Sequence, residues 1–175
     1  MTTAIATPVR LVGVEIRASG YGFVVLEGLT VLDSGIRTCS QPGFDQCLGD
    51  RFLRILRMYD PTAVIVRGRV AARSEKRSVV QSAIRKVVKQ QGSVVVVVGP
   101  AVLQRFFRKY NGRTKYDVAQ CVANLLPDLA WKLPRKRRAW HSEDHRTAIF
   151  DAAAAALVHL MHDQQVPQRL DTSHS

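Results

Sequence analysis

The sequence is poor in acidic residues and has no apolar run long enough to cross a membrane. Only 14 Asp and Glu stand against 26 Lys and Arg, so the 175-residue chain carries a formal net charge of +12. An excess of this size indicates a polyanionic partner, either nucleic acid or an anionic surface. The valine run at 94–98 has the length of a strand, well short of the roughly 18 apolar residues that a bilayer span requires.

Cysteine is also scarce. Cys39, Cys47 and Cys121 are odd in number and show no C-x-x-C spacing. This pattern argues against a disulfide framework and against a structural zinc site. The first eight residues lack the basic start and the apolar core of a secretory signal, so we expect a cytoplasmic protein.

The length fits one compact domain, because a chain of this size buries a substantial core but is too short for two ordinary domains. We expect a flexible arm over residues 1–9, a folded domain over residues 10–163 and a polar tail over residues 164–175. No internal repeat divides the folded part.

Three strand-like runs open the domain, at residues 12–15, 23–26 and 30–36. The second and third are separated by Glu27-Gly28-Leu29, which favours a hairpin turn. The first run ends in Glu15. The sequence therefore predicts a three-stranded meander whose first strand carries a carboxylate.

Helices and strands alternate after the meander. Apolar residues recur at helical spacing over 44–59 and 74–91, and β-branched runs at 62–66 and 93–98 predict two buried strands. The continuous valines of the second run indicate a parallel strand that is covered on both faces. This order predicts a layered α/β domain that begins with antiparallel strands.

The last third of the chain is predicted to be helical around an irregular segment. Two short helices are expected at 101–110 and 115–125, while residues 127–138 are too basic and proline-rich for regular structure. The last helix is predicted to begin at Ser142 as the N-cap, with Glu143 and Asp144 in its first turn, and to end near His162.

The chain contains a series of short motifs: Gly13-Val14-Glu15, then Gly20-Tyr21-Gly22, and near the end Asp151 with the alanines after it. In this order and spacing they resemble the RuvC-type Holliday junction resolvases of the RNase H-like nuclease superfamily, although the family has Asp where this chain has Glu15. The resemblance implies an RNase H-like (RuvC-type) α/β fold, a mixed five-stranded sheet with helices on both faces.

The resemblance also implies a metal-dependent endonuclease that acts on DNA, including branched DNA. In the superfamily, acids on the first strand, the fourth strand and the last helix hold two divalent metals. Such ions supply the attacking water and stabilise the leaving oxygen, and Mg²⁺ prefers carboxylate ligands. Glu15 and Asp151 fill two of these places, so Mg²⁺ or Mn²⁺ is the expected cofactor. Lys115 matches a family lysine near the scissile phosphate, where it would stabilise developing charge.

Two positions depart from the family pattern. The fourth-strand acid is replaced by Arg67, and a guanidinium cannot ligate a metal. The residue one helical turn before Asp151 is Ala148, where the family has an acid or a histidine. Asp144 is seven residues before Asp151, which on one helix places it on the same face but about 10 Å away.

Three interpretations of the site stay open. In the first, Asp144 reaches a second ion, and Glu15, Asp144, Asp151 and Lys115 form an active nuclease centre. In the second, Arg67 pairs with Glu15 or Asp151 in place of a metal, and the domain binds nucleic acid without cutting it. In the third, His145 takes a catalytic or metal role together with His141.

Basic residues are concentrated around the two short helices and in the proline-rich segment, where they can contact phosphates. Trp131 and Trp140 flank the second group and could stack on bases. The predicted nucleic-acid-binding residues are Arg67, Arg105, Arg108, Lys109, Arg113, Lys115, Arg135, Lys136, Arg137 and Arg138. The resemblance further implies a homodimer, which suits a two-fold symmetric junction. A basic protein-interaction domain is the remaining class of function, and salt-dependent DNA affinity distinguishes it from the others.

Overall fold

The computed structural model describes residues 9–40, 42–68, 74–136 and 143–163. Most of the predicted arm, the predicted tail, Arg137, Arg138, Trp140, His141 and Ser142 lie outside these ranges. What the sequence predicts for them therefore stays a prediction.

A mixed five-stranded sheet forms the centre of the domain. Its strands are β1 (Arg10–Arg17), β2 (Gly20–Glu27), β3 (Thr30–Thr38), β4 (Ala63–Arg67) and β5 (Val94–Val98), in the spatial order β3-β2-β1-β4-β5. Strands β1, β2 and β3 pair antiparallel, whereas β4 runs parallel to β1 and β5 runs parallel to β4. The predicted meander and the predicted five-stranded mixed sheet are confirmed.

Helices cover both faces of this sheet. They are α1 (Phe44–Tyr59), α2 (Glu75–Gln90), α3 (Pro100–Arg108), α4 (Lys115–Leu125) and α5 (Thr147–Asp163). Helices α1 and α2 bury their apolar residues against one face, and α3, α4 and α5 contribute to the core on the other. None of the helices in the described ranges has the length and apolarity to cross a membrane.

Alternation along the strands decides which side chains face α5. Leu11 of β1 and Ile65 of β4 belong to the core beneath α5, whereas the residue after each belongs to the opposite core. Because every second residue of a strand faces the same side, Glu15 and Arg17 of β1 face α5 as Leu11 does, and Arg67 of β4 faces α5 as Ile65 does. The strands thus carry one acid and two arginines beneath α5.

Helix α5 lies unusually close to the sheet because glycines face its alanines. A Cβ atom at Gly13 would lie 2.4 Å from the carbonyl oxygen of Ala152, and one at Gly22 would lie 2.6 Å from the Cβ of Ala148. Only glycine permits this approach. The contact brings Asp151, next to Ala152, down onto the ends of β1 and β4.

The start of α5 differs from the prediction, since the helix begins at Thr147 and not at Ser142. The carboxylate of Asp144 accepts a hydrogen bond from the backbone N–H of Arg146 at 2.9 Å and pairs with its guanidinium at 2.7 Å. These local bonds stabilise a turn in competition with a helical start. Glu143 and Asp144 therefore precede the helix.

The prediction that residues 127–138 lack regular structure is wrong for Pro127–Lys132, which forms a 3₁₀ helix. Pro127 is compatible with the first position of a helix, and Leu129 is buried in the core. The Lys132 ammonium donates to the backbone carbonyl and the hydroxyl of Ser34 at 2.9 and 2.7 Å. These bonds hold the segment against β3.

The expectation that the valine strand is covered on both faces is wrong. Strand β5 lies at the edge of the sheet, and Val94, Val95 and Val97 are 60%, 40% and 55% exposed. An apolar run indicates a strand, but it does not distinguish a central strand from an edge strand.

The prediction against disulfide bonding is wrong for one pair of cysteines, because Cys39 and Cys47 form a disulfide bond with their Cα atoms 6.3 Å apart. Residue 39 follows β3 and residue 47 lies in the first turns of α1, so the folded chain brings together two cysteines whose spacing matches no short motif. Cys121 is free. The cytoplasmic location stays a prediction.

Candidate active site

The parallel pairing of β1 with β4 places Glu15 beside Arg67. Val14 pairs with Val66, so the next residue on each strand lies at the same level. The prediction that Glu15 ends its strand is wrong. Glu15 pairs with Gly22, and β1 continues for two more residues. The Glu15 side chain is completely buried.

Three arginines surround the buried carboxylate of Glu15. Its Oε1 atom lies 3.2 Å from Arg77 and 3.7 Å from Arg17, and its Oε2 atom lies 3.9 Å from Arg67. Arg77, near the start of α2, also donates to the backbone carbonyl of Ile16. Burying a carboxylate requires such compensation, because an uncompensated charge inside a protein is strongly destabilising.

Asp151 is held by two of the same arginines. Its Oδ2 atom lies 2.8 Å from Arg67 and 3.2 Å from Arg17, and the residue is 6% exposed. Glu15 and Asp151, predicted from the sequence as a pair, are thus brought together at one end of the sheet. Guanidinium groups join them.

Glu143 also belongs to this site, although it is not among the site residues predicted from the sequence. Its carboxylate lies 3.2 Å from Arg17 and 2.7 Å from the Lys115 ammonium. Partial burial by itself raises the pKa of Glu143, but the hydrogen bond from Lys115 and the charge of Arg17 lower it more, so that the pKa lies below its ordinary value. Arg17 accordingly contacts three carboxylates.

Asp144 and His145 lie outside this network. The carboxylate of Asp144 is engaged by Arg146, whose hydrogen bonds lower the pKa of Asp144. The 10 Å estimate for Asp144 assumed one continuous helix with Asp151, and the helix does not reach that far. His145 is exposed in the turn before α5. A catalytic or metal-binding role for either residue stays a prediction.

Most of the predicted phosphate-binding residues form an exposed surface around the start of α4. Thr114 and Asp117 form a capping box, which fixes the start of α4 and lowers the pKa of Asp117. Asn111 adopts a left-handed conformation between α3 and α4. The exposed basic residues of this surface and of the segment after the 3₁₀ helix are Arg105, Arg108, Lys109, Arg113, Lys115, Arg135 and Lys136.

The residues present do not fit a divalent metal. The site contains three carboxylates, those of Glu15, Asp151 and Glu143. All three form ion pairs with cationic side chains, which belong to Arg17, Arg67, Arg77 and Lys115. Arginine has no lone pair to offer and stays protonated at every accessible pH. Within the described ranges, no cluster of three or more His, Cys, Asp or Glu side chains could hold a metal ion.

Comparisons with protein-family models and with curated proteins give no match. Among solved structures, the chain is similar to Thermus thermophilus RuvC in complex with a Holliday junction substrate, with 21% identity and a TM-score of 0.69 over 89% of this chain and 95% of that one. This chain has the RuvC-type fold. The yeast mitochondrial Holliday junction resolvase Ydc2 is similar at 9% identity and a TM-score of 0.62, over 90% of this chain and 80% of that one. The fowlpox virus Holliday junction resolvase is similar at 12% identity and a TM-score of 0.54, over 88% of this chain and 99% of that one.

The RuvC-type fold that the sequence motifs predicted is therefore confirmed. Identities at this level concern the course of the backbone and do not extend to the chemistry of the site. In this chain the RuvC-type fold carries Arg67 at the end of β4 and Arg17 at the end of β1, both in contact with Asp151.

Three of the site residues, Arg17, Arg77 and Glu143, were not predicted from the sequence. Arg17 meets Asp151 and Glu143 across 134 and 126 residues of sequence, and Arg77 meets Glu15 across 62. The alternation of β1 places Arg17 on the face of Glu15, which is a usable signal. Glu143 gives no such signal, because its placement depends on where α5 begins.

Proposed function

We propose that this domain binds branched DNA at the basic end of its sheet and does not cut it by a two-metal mechanism. Two of the solved structures with the same fold are complexes with Holliday junction DNA, which supports the choice of ligand. The net charge of +12 supports it independently, since phosphate neutralisation supplies much of protein–DNA affinity.

The position of Arg67 is the observation that supports the proposed absence of cleavage. Its guanidinium lies 2.8 Å from Asp151 and 3.9 Å from Glu15, so it stands between the two acids that would have to share a cation. A divalent metal would need to displace a permanent positive charge and to overcome the repulsion of Arg17 and Arg77. The arginines thus perform the charge neutralisation that a metal performs elsewhere.

The surface around α3 and α4 supplies phosphate contacts that do not depend on the acids. Arg105, Arg108 and Arg113 are exposed there, and arginine binds phosphate oxygens in bidentate fashion. Each phosphate contact releases counterions, so binding weakens steeply as salt rises.

The proposal is tested by measuring the affinity of a labelled four-way junction and of a duplex of equal length at several salt concentrations. Each sample is also incubated with Mg²⁺ or Mn²⁺ and examined for cut strands. We expect the junction to bind more tightly than the duplex and to stay intact. Metal-dependent cutting by the parent protein that Asp151→Asn abolishes would overturn the absence of cleavage, and salt-independent or absent binding would overturn the DNA partner.

A matched pair of double variants locates the DNA on the surface. Arg105→Gln with Arg108→Gln should reduce the salt slope by about two, since each lost phosphate contact removes about one unit. Arg54→Gln with Arg57→Gln removes the same charge from exposed positions on α1, beneath the opposite face of the sheet, and should leave the preference for the junction intact.

A metal-dependent endonuclease is the second candidate. One observation favours it: Glu15 and Asp151 are brought to the same end of the sheet, as the resemblance implies, and both contact Arg67. The Asp151→Asn comparison above decides between the two candidates. A homodimer is also proposed, because two copies related by a two-fold axis match the symmetry of a junction; sedimentation with and without junction DNA measures it.

A further inference from the structure

A half-open pocket lies at the end of the sheet opposite to the buried acids, where β1, β4 and β5 begin. Its volume is about 520 Å³, more than three times the roughly 150 Å³ of an apolar cavity that holds one benzene ring. Its apolar lining includes Leu11, Ala63, Val94, Val96 and Leu160. The pocket therefore has room for two apolar side chains of a partner.

The pocket adjoins the open edge of β5. This strand pairs with β4 on one side, and no strand of the residues that the structure describes lies on its other side. The backbone N–H and C=O groups of an edge strand are available to an added strand. Because alternate residues of a strand face the same side, Val94 and Val96 face the pocket, whereas Val95 and Val97 face the opposite side. A strand added to this edge would place every second side chain over the pocket.

The charges around the pocket favour an acidic partner. The carboxylate of Glu27, which lines the pocket, is engaged by Arg10 at 3.2 Å. His159 also lines the pocket, and a histidine can donate a hydrogen bond to a carboxylate. Lys89 and His162 are exposed in the last turns of α2 and α5, and the chain as a whole carries a net charge of +12. Acidic residues at the ends of a bound segment would therefore be complementary to this part of the surface.

We propose that the edge of β5 and the adjoining pocket bind an extended segment of a partner protein, with apolar side chains at alternate positions and acidic residues at its ends. In this mode of recognition, main-chain hydrogen bonds to the sheet edge supply affinity, and pockets for alternate side chains supply specificity. The open edge and the apolar pocket are separate observations that favour the same occupant. The site is at the far end of the sheet from Glu15 and Asp151, so the inference does not rest on the proposed DNA-binding function.

The inference is tested with two fluorescently labelled synthetic peptides of the same composition. The peptide Asp-Thr-Phe-Thr-Leu-Thr-Asp has its apolar residues at alternate positions, on one face of a strand. The peptide Asp-Thr-Phe-Leu-Thr-Thr-Asp has them side by side, on opposite faces. The alternating peptide should bind about tenfold more tightly in fluorescence anisotropy, as expected when one more apolar side chain is buried.

Two variants of the protein locate the effect. Val94→Phe fills the pocket from an exposed position and should abolish the advantage of the alternating peptide. Val97→Phe makes the same change on the other face of β5, at a position of similar exposure that does not line the pocket, and should preserve the advantage. Thermal unfolding shows that both variants fold, and the comparison of the two peptides decides the matter with the unmodified protein.

A third peptide tests the acidic ends. It has the alternating sequence with lysine in place of both aspartates, and it should bind several-fold more weakly at low salt, because like charges repel. Equal binding of the lysine and aspartate peptides would overturn the preference for an acidic partner.

The remaining outcomes concern the occupant. Equal affinity for the two peptides of the same composition would overturn the role of the pocket, and binding of neither would overturn the whole inference. Peptide affinity that falls as the protein concentration rises would show that a second copy of this chain occupies the edge, which would also overturn the inference. None of these results bears on the binding of a DNA junction, so the proposed function is tested separately.

Discussion

The guanidinium of Arg67 on β4 lies 2.8 Å from the carboxylate of Asp151 on α5. This ion pair connects the sheet to the helix that covers it, at a place where both partners are largely buried. Its removal should therefore affect stability and metal response together.

Substitution of Arg67 by alanine should lower the free energy of unfolding by about 3 kcal/mol, because it leaves Asp151 and Glu15 short of one compensating charge. Urea unfolding measures this loss. Mg²⁺ should raise the melting temperature of Arg67→Ala but not that of the parent protein.

The control for this prediction is Arg146→Ala. Arg146 pairs with Asp144 through side chains that are 43% and 30% exposed, and exposed pairs contribute less than about 1 kcal/mol. A melting temperature of the parent protein that rises with Mg²⁺ would show that its site accepts the cation after all.

Glu143 forms ion pairs with Lys115 and Arg17, and under the proposed function it would compete with phosphate for both. Glu143→Gln should therefore increase junction affinity by on the order of fivefold at low salt, and it should steepen the salt dependence by about one unit. Asp144→Asn is the matched control, because Asp144 is adjacent but engages Arg146. An equal gain from both variants would indicate a general effect of net charge.

The same carboxylate should contribute to stability in a defined pH range. The pKa of Glu143 in the folded protein lies below its ordinary value of 4.5, so the charged form stabilises the fold above pH 4.5, and this contribution is lost as the pH falls through the lowered pKa. Urea unfolding at a series of pH values should show the difference between the parent and Glu143→Gln shrinking below that value. A difference that does not change with pH would contradict the prediction.

The disulfide bond between Cys39 and Cys47 closes a short loop of the chain, with a sequence separation of 8. By the chain-entropy relation, a loop of this size stabilises by about 2.5 kcal/mol. A reducing agent should lower the free energy of unfolding of the parent protein by about that amount and should not affect a Cys39→Ser, Cys47→Ser variant. Cys121→Ser, at the free cysteine, should keep the sensitivity to reduction.

The layered α/β class of the fold was predictable because its determinants are local and periodic, whereas the specific five-stranded arrangement was implied by the resemblance to RuvC-type resolvases. The apolar run that ends in Glu15, the hairpin at Gly28 and the helical spacing of Leu48, Phe52 and Ile55 each specify an element without knowledge of the rest. Their order along the chain then predicts a layered domain that begins with antiparallel strands.

The chemistry of the site was less predictable, because it depends on contacts between distant residues and on one helix boundary. The pairing of Arg67 with an acid was among the open interpretations, but the joint action of Arg17 and Arg77 was not. The first helical residue of α5 is Thr147, four residues later than a Ser142 N-cap implies, and in the turn before it Glu143 contacts Arg17 whereas Asp144 contacts Arg146. Boundaries of this kind are decided by local hydrogen bonds, such as those of Asp144 with Arg146, that periodicity does not reveal.

Strand β5 presents five consecutive valines at the margin of the sheet, and no strand of the described ranges lies along its outer side. Neither a proline nor a charge interrupts these valines, and those are the devices by which soluble proteins usually prevent one sheet from extending into another. Apolar, uncharged segments of this length are also prone to form fibrils when partly unfolded. We therefore expect concentrated or heated solutions of this protein to aggregate through the margin at β5, in spite of its high net charge.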